Sequence, residues 1–258
     1  MNIYTIHQWL IVFYIYCFMG WIWESCYVSL KSHKWVNRGF LKGPFLPIYG
    51  TGAIVVLIST LRVQNNILLI FIIGMISATI LEYITGALME KLFHVRYWDY
   101  TSQPFNINGY VCLLCSLAWG VFSLLLVKVV NPPIDNLVNN IPSFIVEVSS
   151  YITTIFITID AVQSFNEAMD LKDLLIRFTE RNSIIDKLSL RVKDESSKLK
   201  DEFAECLSRL KAYESRINNA ENRVYISSIK ILRRNPNARA KRYEAAMREI
   251  KDLDNKDE

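Results

Sequence analysis

Residues 66–90 read NILLIFIIGMISATILEYITGALME, and the only charges in that run are Glu82 and the terminal Glu90. A helix needs about 20 predominantly apolar residues to cross a bilayer, so this stretch predicts a transmembrane span. Four further stretches of similar character flank it. The predicted spans are 8–30, 44–62, 66–90, 107–130 and 143–165. The second is the shortest and opens on the run Gly43-Pro44-Phe45-Leu46-Pro47, where proline suits a helix start.

Outside these spans the composition changes. Residues 1–165 hold 8 Lys/Arg and 7 Asp/Glu, whereas residues 166–258 hold 21 and 18. The first part is too apolar for an ordinary soluble domain and the second too charged for lipid, which places a domain boundary near residue 165. The expected class is all-α: a polytopic membrane bundle of about five transmembrane helices, residues 1–165, followed by a long helical tail, 166–258. The N-terminal ten residues lack the basic region of a secretory signal, so the first apolar segment reads as a retained span. Loop 31–43 carries Lys31, Lys34, Arg38 and Lys42, and loop 91–106 carries Lys91 and Arg96. The opposite side has only Arg62 and Lys128 at span ends, and no basic residue precedes Trp9. The positive-inside rule then predicts a multi-pass cell-membrane protein with its N-terminus outside and its tail in the cytoplasm.

Three acids lie deep within spans: Glu24, Glu82 and Asp160. Counted from the predicted span starts they sit 16, 16 and 17 residues in, or roughly 24–26 Å at about 1.5 Å per residue. Ionisable groups at such depth usually face a bundle interior, pair with a cation or line a pathway. Two readings stand: separate structural pairs reaching toward the interface, or one polar site open to the cytoplasm with a proton or cation role. Arg38 and Arg96 are candidate partners. Each follows an acid by 14 residues, Glu24 and Glu82 respectively, and each precedes a Pro-Phe step and a Gly at the head of the next span. That pattern suggests a span–loop–span unit used twice, as in transporters built from internal repeats. The intervening loops mix Arg, Gly, Pro and aromatics, which suits either interfacial anchors or a lid over the acids. With Asp99 and Asn106 of the second loop, the candidate binding or transport set is Glu24, Arg38, Glu82, Arg96, Asp99, Asn106 and Asp160.

Several strings carry a family likeness: Gly20-x-x-x-Glu24, Asn37-Arg38-Gly39-Phe40, Gly43-Pro44, Pro47-Ile48-Tyr49-Gly50, Leu81-Glu82-Tyr83, Arg96-Tyr97-Trp98-Asp99-Tyr100 and Phe105-Asn106-x-x-Gly109. Together they resemble the bacterial membrane family named ABC-transporter type IV. In the tail, Asn235-Pro236-Asn237 and Arg242-Tyr243-Glu244-Ala245-Ala246-Met247 are similar to the C-terminal motif of its longer members. The chain departs from the family pattern at Thr101, where Ser is more usual, and at Asn235-Pro236, which replaces an Ala-Phe-Pro type step. The resemblance implies a permease-like subunit partnered by a separate ATPase.

The tail follows a heptad. One position reads Leu171, Phe178, Ile185, Val192, Leu199, Cys206, Tyr213, Ala220; the other includes Leu175, Phe203, Leu210, Ile217 and Val224, with polar Asn182, Ser189 and Ser196 in its middle. A seam of period 3.5 predicts a coiled-coil-like helix, continuous with the fifth span because no breaker separates Asp160 from Leu171. The seam requires a partner, either a second copy of the chain or the terminal helix beyond Asn235-Pro236 folded back. From Arg223 to Arg242 there are seven basic residues and no acid, suiting anionic lipid, an acidic partner or plain solvation. No nucleic-acid fold or base-stacking motif accompanies the charge, so nucleic acid is not an expected partner.

Enzyme signatures are mostly absent: there is no P-loop string, and His7, His33 and His94 are scattered at span edges; the one enzymatic option is Glu24 or Glu82 acting as a base on a lipid head group. Neither a cofactor nor a metal site is expected, and Cys112 and Cys115, though spaced Cys-x-x-Cys, read as small packed hydrophobes. The expected function is a permease-like membrane subunit. The alternative is a non-transporting membrane scaffold or regulator that works through its tail.

Overall fold

The computed structural model describes residues 4–194 and 223–254, with side chains for 4–185 and 223–254. Helix α1, Ile6–Ser32, starts on a capping box in which the Thr5 hydroxyl accepts the Gln8 N–H while the Gln8 side chain accepts the Thr5 N–H. It stops at His33, whose φ of 54° breaks the helical path. After an irregular loop, α2 runs Pro47–Thr60 and tightens into a 3₁₀ turn, Leu61–Val63. Helix α3, Ile67–Phe93, is capped by the Asn66 side chain and ends at His94 in the same left-handed conformation as His33.

Helix α4 begins at Leu113, not at residue 107 as the hydropathy suggested. Residues 106–112 instead form a small antiparallel hairpin, β1 Asn106–Ile107 and β2 Val111–Cys112. The cause is local: Asn108 and Gly109 both take positive φ, 53° and 76°, and an Asn-Gly pair is the residue choice that makes such a hairpin turn inexpensive. Likewise α2 starts at Pro47 rather than 44, because proline can occupy the first turn where its missing N–H has no partner to lose.

At its far end α4 (Leu113–Leu125) does not stop near 130. It passes through a π turn, Leu126–Val130, into α5, Asn131–Asn140. Pro132 and Pro133 lack the N–H groups that would continue the regular ladder, and the Asn131 N–H reaches back to the Leu126 carbonyl in a π-type bond. Helix α6, Ser143–Asp194, spans 52 residues without a break; no Gly or Pro occurs within it. Residues 223–234 form α7, and after a turn at Asn235-Pro236 a 3₁₀ turn, Lys241–Tyr243, leads into α8, Glu244–Asp254.

Four of these helical stretches are long and apolar enough to cross a membrane: Ile6–Ser32, Ile67–Phe93, Leu113–Asn140 and Ser143–Ile185. The fifth apolar helix, Pro47–Val63, is shorter; its length of roughly 25 Å at 1.5 Å per residue falls below a typical hydrocarbon core of about 30 Å. On α3 the exposed residues Ile72, Ile76, Ile80, Ile84 and Leu88 recur every fourth position, making an apolar outer stripe. On the inside α2 packs between α1 and α3, α4 packs on α3, and α6 packs on α1. Small residues permit these close approaches, as is usual for helix contacts in lipid. A Cβ on Gly20 would enter the Tyr49 ring, one on Gly50 would strike Cys17 and Phe13, and one on Gly120 would strike Phe71.

A second core lies beyond the bundle. Phe93, Val95 and Tyr97 from the end of α3 and its loop meet Ala168, Leu171, Leu174 and Leu175 of α6, together with Ile231, Leu232, Ala246, Met247 and Ile250 of the tail. The first heptad residues thus bury against the terminal segment. The seam positions after Ile185 lie outside the described side chains.

Two glycines one half-turn apart separate packing from propensity. Gly50→Ala drives a methyl into Cys17 and Phe13, whereas Gly52→Ala meets only Leu81 Cδ2 at 3.8 Å. Gly50→Ala is expected to cost about 1–3 kcal/mol, the range for overpacking. Gly52→Ala should be neutral or stabilising by up to about 1 kcal/mol through helix propensity. Thermal melting of the detergent-solubilised protein measures both.

Candidate functional site

Glu24 lies one turn after Gly20 on the same face of α1. Because Gly20 has no side chain, the Tyr49 ring from the first turn of α2 rests directly against α1, and its hydroxyl donates to Glu24 Oε1 at 2.7 Å. The spacing Gly20-x-x-x-Glu24 therefore has a physical content: the glycine makes room for the ring whose hydroxyl satisfies the acid. On its other side Tyr49 packs on Trp119 of α4, with ring centroids 5.7 Å apart. The Trp119 indole N–H donates to Glu82 Oε2 at 2.8 Å, and the Tyr100 hydroxyl donates to Glu82 Oε1 at 3.2 Å. Glu82, on α3, is 6% exposed and lies within electrostatic reach of Glu24.

Arg38, on the loop between α1 and α2, caps this cluster. Its Nε is 3.9 Å from Glu24, its Nη1 donates to Asn235 Oδ1 at 2.5 Å, and its Nη2 donates to the Tyr97 carbonyl at 3.1 Å. Burial disfavours the charged guanidinium and lowers its pKa; Glu24 is the largest opposing influence. Asn235 also donates to the Gly39 and Ile231 carbonyls. The neighbouring Arg234 pairs with buried Glu167 of α6 at 2.7 Å, and Lys42 reaches the same carboxylate at 3.0 Å. The tail is thus bolted to the first loop.

Of the seven expected residues, Glu24, Arg38 and Glu82 come together. Asp160 stands apart from them: it accepts the backbone N–H groups of Lys42 and Gly43 at 3.0 and 2.8 Å and a bond from Ser164 at 3.3 Å. It fixes the first loop, two helical turns before Glu167 does the same. Arg96 does not pair with Glu82 as the repeated 14-residue spacing suggested. Its loop folds back on the last turns of α3, where Glu90 is nearer: Arg96 Nε meets Glu90 at 2.7 Å and Nη1 lies 3.6 Å from Asp99. Asn106 is a loop staple, accepting the Gly109 N–H at 3.1 Å and donating to the Gln103 carbonyl at 2.8 Å.

Sequence reading missed Tyr49, Tyr100, Trp119, Glu90, Glu167 and Asn235 as participants. Tyr49, Tyr100 and Asn235 sit inside strings noted for their family likeness, so a signal was present. Trp119 and Glu167 carry none, because an interior tryptophan and an acid at the start of a charged tail both look ordinary.

Two outcomes follow from these contacts. Asn235→Ala removes bonds to Arg38 and the first loop, costing about 1–3 kcal/mol for groups left buried without partners; trypsin should then cleave the 223–254 segment faster than in the parent protein. The second concerns Asp99. Burial raises its pKa, but the Thr101 bonds and the Arg96 and Arg239 charges outweigh burial and hold the carboxyl below its usual range. A depressed folded-state pKa gives stability that is present above the unfolded value of about 3.9 and is lost as the pH falls below it. Asp99→Asn should flatten that acid limb in melting curves measured as a function of pH.

No curated protein and no solved structure matches this chain. A family model does: the one described as "Putative ABC-transporter type IV" matches residues 11–165, more than half the chain and the whole of the Glu24–Arg38–Glu82 cluster. The chain belongs to the ABC-transporter type IV family.

Proposed function

We propose that this protein is a permease-like subunit of an ABC-type transport system, with ATP hydrolysis supplied by a separate subunit. In this reading all five apolar helices of the first two-thirds cross the membrane, with α2 accommodated by local thinning or tilt of its neighbours. The excess of Lys and Arg on loops 31–43 and 91–106 then sets the tail in the cytoplasm.

One observation carries the proposal. Two carboxylates, Glu24 and Glu82, occupy apolar helices and share a continuous aromatic and hydrogen-bonded connection through Tyr49 and Trp119. Among the described residues only Glu24 has a cation, Arg38, beside it, while Glu82 is held by neutral donors. Burying an acid among apolar helices is costly, and such residues generally mark a solute, ion or proton path. The family membership points to the same class of function.

The docking of Asn235 and Arg234 on the first loop favours a second reading, a membrane scaffold or regulator whose working part is the tail. Glu82→Gln distinguishes the two. In liposomes containing the protein and its ATPase, the permease reading expects turnover to fall about tenfold or more, equivalent to roughly 1.4 kcal/mol of barrier. Full turnover in Glu82→Gln, or no movement of solute or lipid by the parent protein, removes the permease reading.

A further inference from the structure

The basic run Arg223–Arg242 is only partly used by the contacts above. Its end is delivered to a specific place. Arg96 and Arg239 form an antiparallel bridge, with N···O distances of 2.7 and 2.9 Å, and this carries Lys241 to the rim of a cavity of about 620 Å³. Tyr83 and Ala87 of α3 line it as well, with Arg96, Thr101 and Asn108 of the second loop. The Asn108 amide donates to the Tyr83 hydroxyl at 2.9 Å, which ties the loop to the helix.

The charge here is not balanced. Arg96 and Arg239 are met by Glu90 and Asp99, which among the described residues leaves Lys241 as the surplus cation on the lining. The setting is equally informative. On α3 the outer stripe Ile80, Ile84 and Leu88, each more than half exposed, runs directly past Tyr83 and Ala87. Beside the cavity Phe105 and Ile107 are 79% and 58% exposed. A polar, cationic pocket thus opens where a long apolar helix surface ends, the level at which tyrosine and lysine meet phospholipid head groups.

We propose that this cavity holds a phosphate group carried by an anionic phospholipid, with Lys241 and Arg96 facing the phosphate, Asn108 and Thr101 bonding the head group, and the acyl chains lying along α3 beside Phe105 and Ile107. The site is separate from the Glu24–Glu82 cluster and stands whether or not that cluster transports anything. A bound lipid would pin the tail's last helix to the second loop.

The test is native mass spectrometry of the delipidated full-length protein in detergent. It is titrated with phosphatidylglycerol, phosphatidylcholine or inorganic phosphate. The expected result is a preference for phosphatidylglycerol over phosphatidylcholine that Lys241→Ala cuts about fivefold, the factor expected of one lysine near an anionic surface. Lys31→Ala, in the last turn of α1, should leave the preference intact. Lys241 is solvent-exposed, so its variant is expected to melt with the parent. No preference, a preference unaffected by Lys241→Ala, or equal loss in Lys31→Ala overturns the proposal. Binding of inorganic phosphate that depends on Lys241 while phosphatidylglycerol binds no better than phosphatidylcholine overturns the lipid as the source.

Discussion

A carboxylate carried into an apolar helix bundle must find its hydrogen-bond donors within the protein, because the surrounding hydrocarbon has none to offer. Glu82 states that constraint most sharply. Its two oxygens are met by the indole of Trp119 and the hydroxyl of Tyr100, and those two groups come from α4 and from the loop after α3. Glu24 is met by Tyr49 of α2. Satisfying two acids therefore fixes the relative placement of four helices and one loop. The glycines follow from the same demand, since Gly20 is what lets the Tyr49 ring lie close enough to bond Glu24.

Arg38 extends this arrangement out of the bundle. The same guanidinium faces Glu24, the Tyr97 carbonyl and Asn235, so the first loop, the second loop and the tail converge on one side chain. Glu167 and Asp160, two helical turns apart on α6, hold the first loop at Lys42 and Gly43. A displacement of the tail would be felt at Glu24 through a single intervening residue. That gives a physical route between the tail and a polar group inside the bundle.

How much of this was legible in the sequence differs by element. The apolar runs were readable because lipid sets the length and composition of a span independently of its neighbours; four of the helical stretches are long enough to cross a membrane, and Pro47–Val63 is shorter. The unbroken α6 was readable from its lack of Gly and Pro. The β-hairpin at 106–112 was not read from hydropathy, although Asn108-Gly109 signalled it; an apolar flank obscured a turn whose cost is set by φ alone. Equal depth grouped Asp160 with Glu24 and Glu82, but depth is one coordinate and the facing direction is another. Asp160 turns to the backbone of Lys42 and Gly43. The matched spacing of Glu24–Arg38 and Glu82–Arg96 failed for a related reason: a loop of equal length can fold down its helix, and Glu90 intercepts Arg96 before it reaches Glu82. Trp119 could not have been named at all, since nothing in its neighbours marks it as the donor that a residue on another helix requires.

The central claim is that Glu24 and Glu82 belong to one site rather than two. A double-mutant cycle with Glu24→Gln and Glu82→Gln, read as unfolding free energy in a fixed detergent, measures this directly. The account predicts a coupling energy of about 0.5–3 kcal/mol, the range for residues joined in one network. Additivity to within about 0.3–0.5 kcal/mol, as found for independent positions, would contradict it.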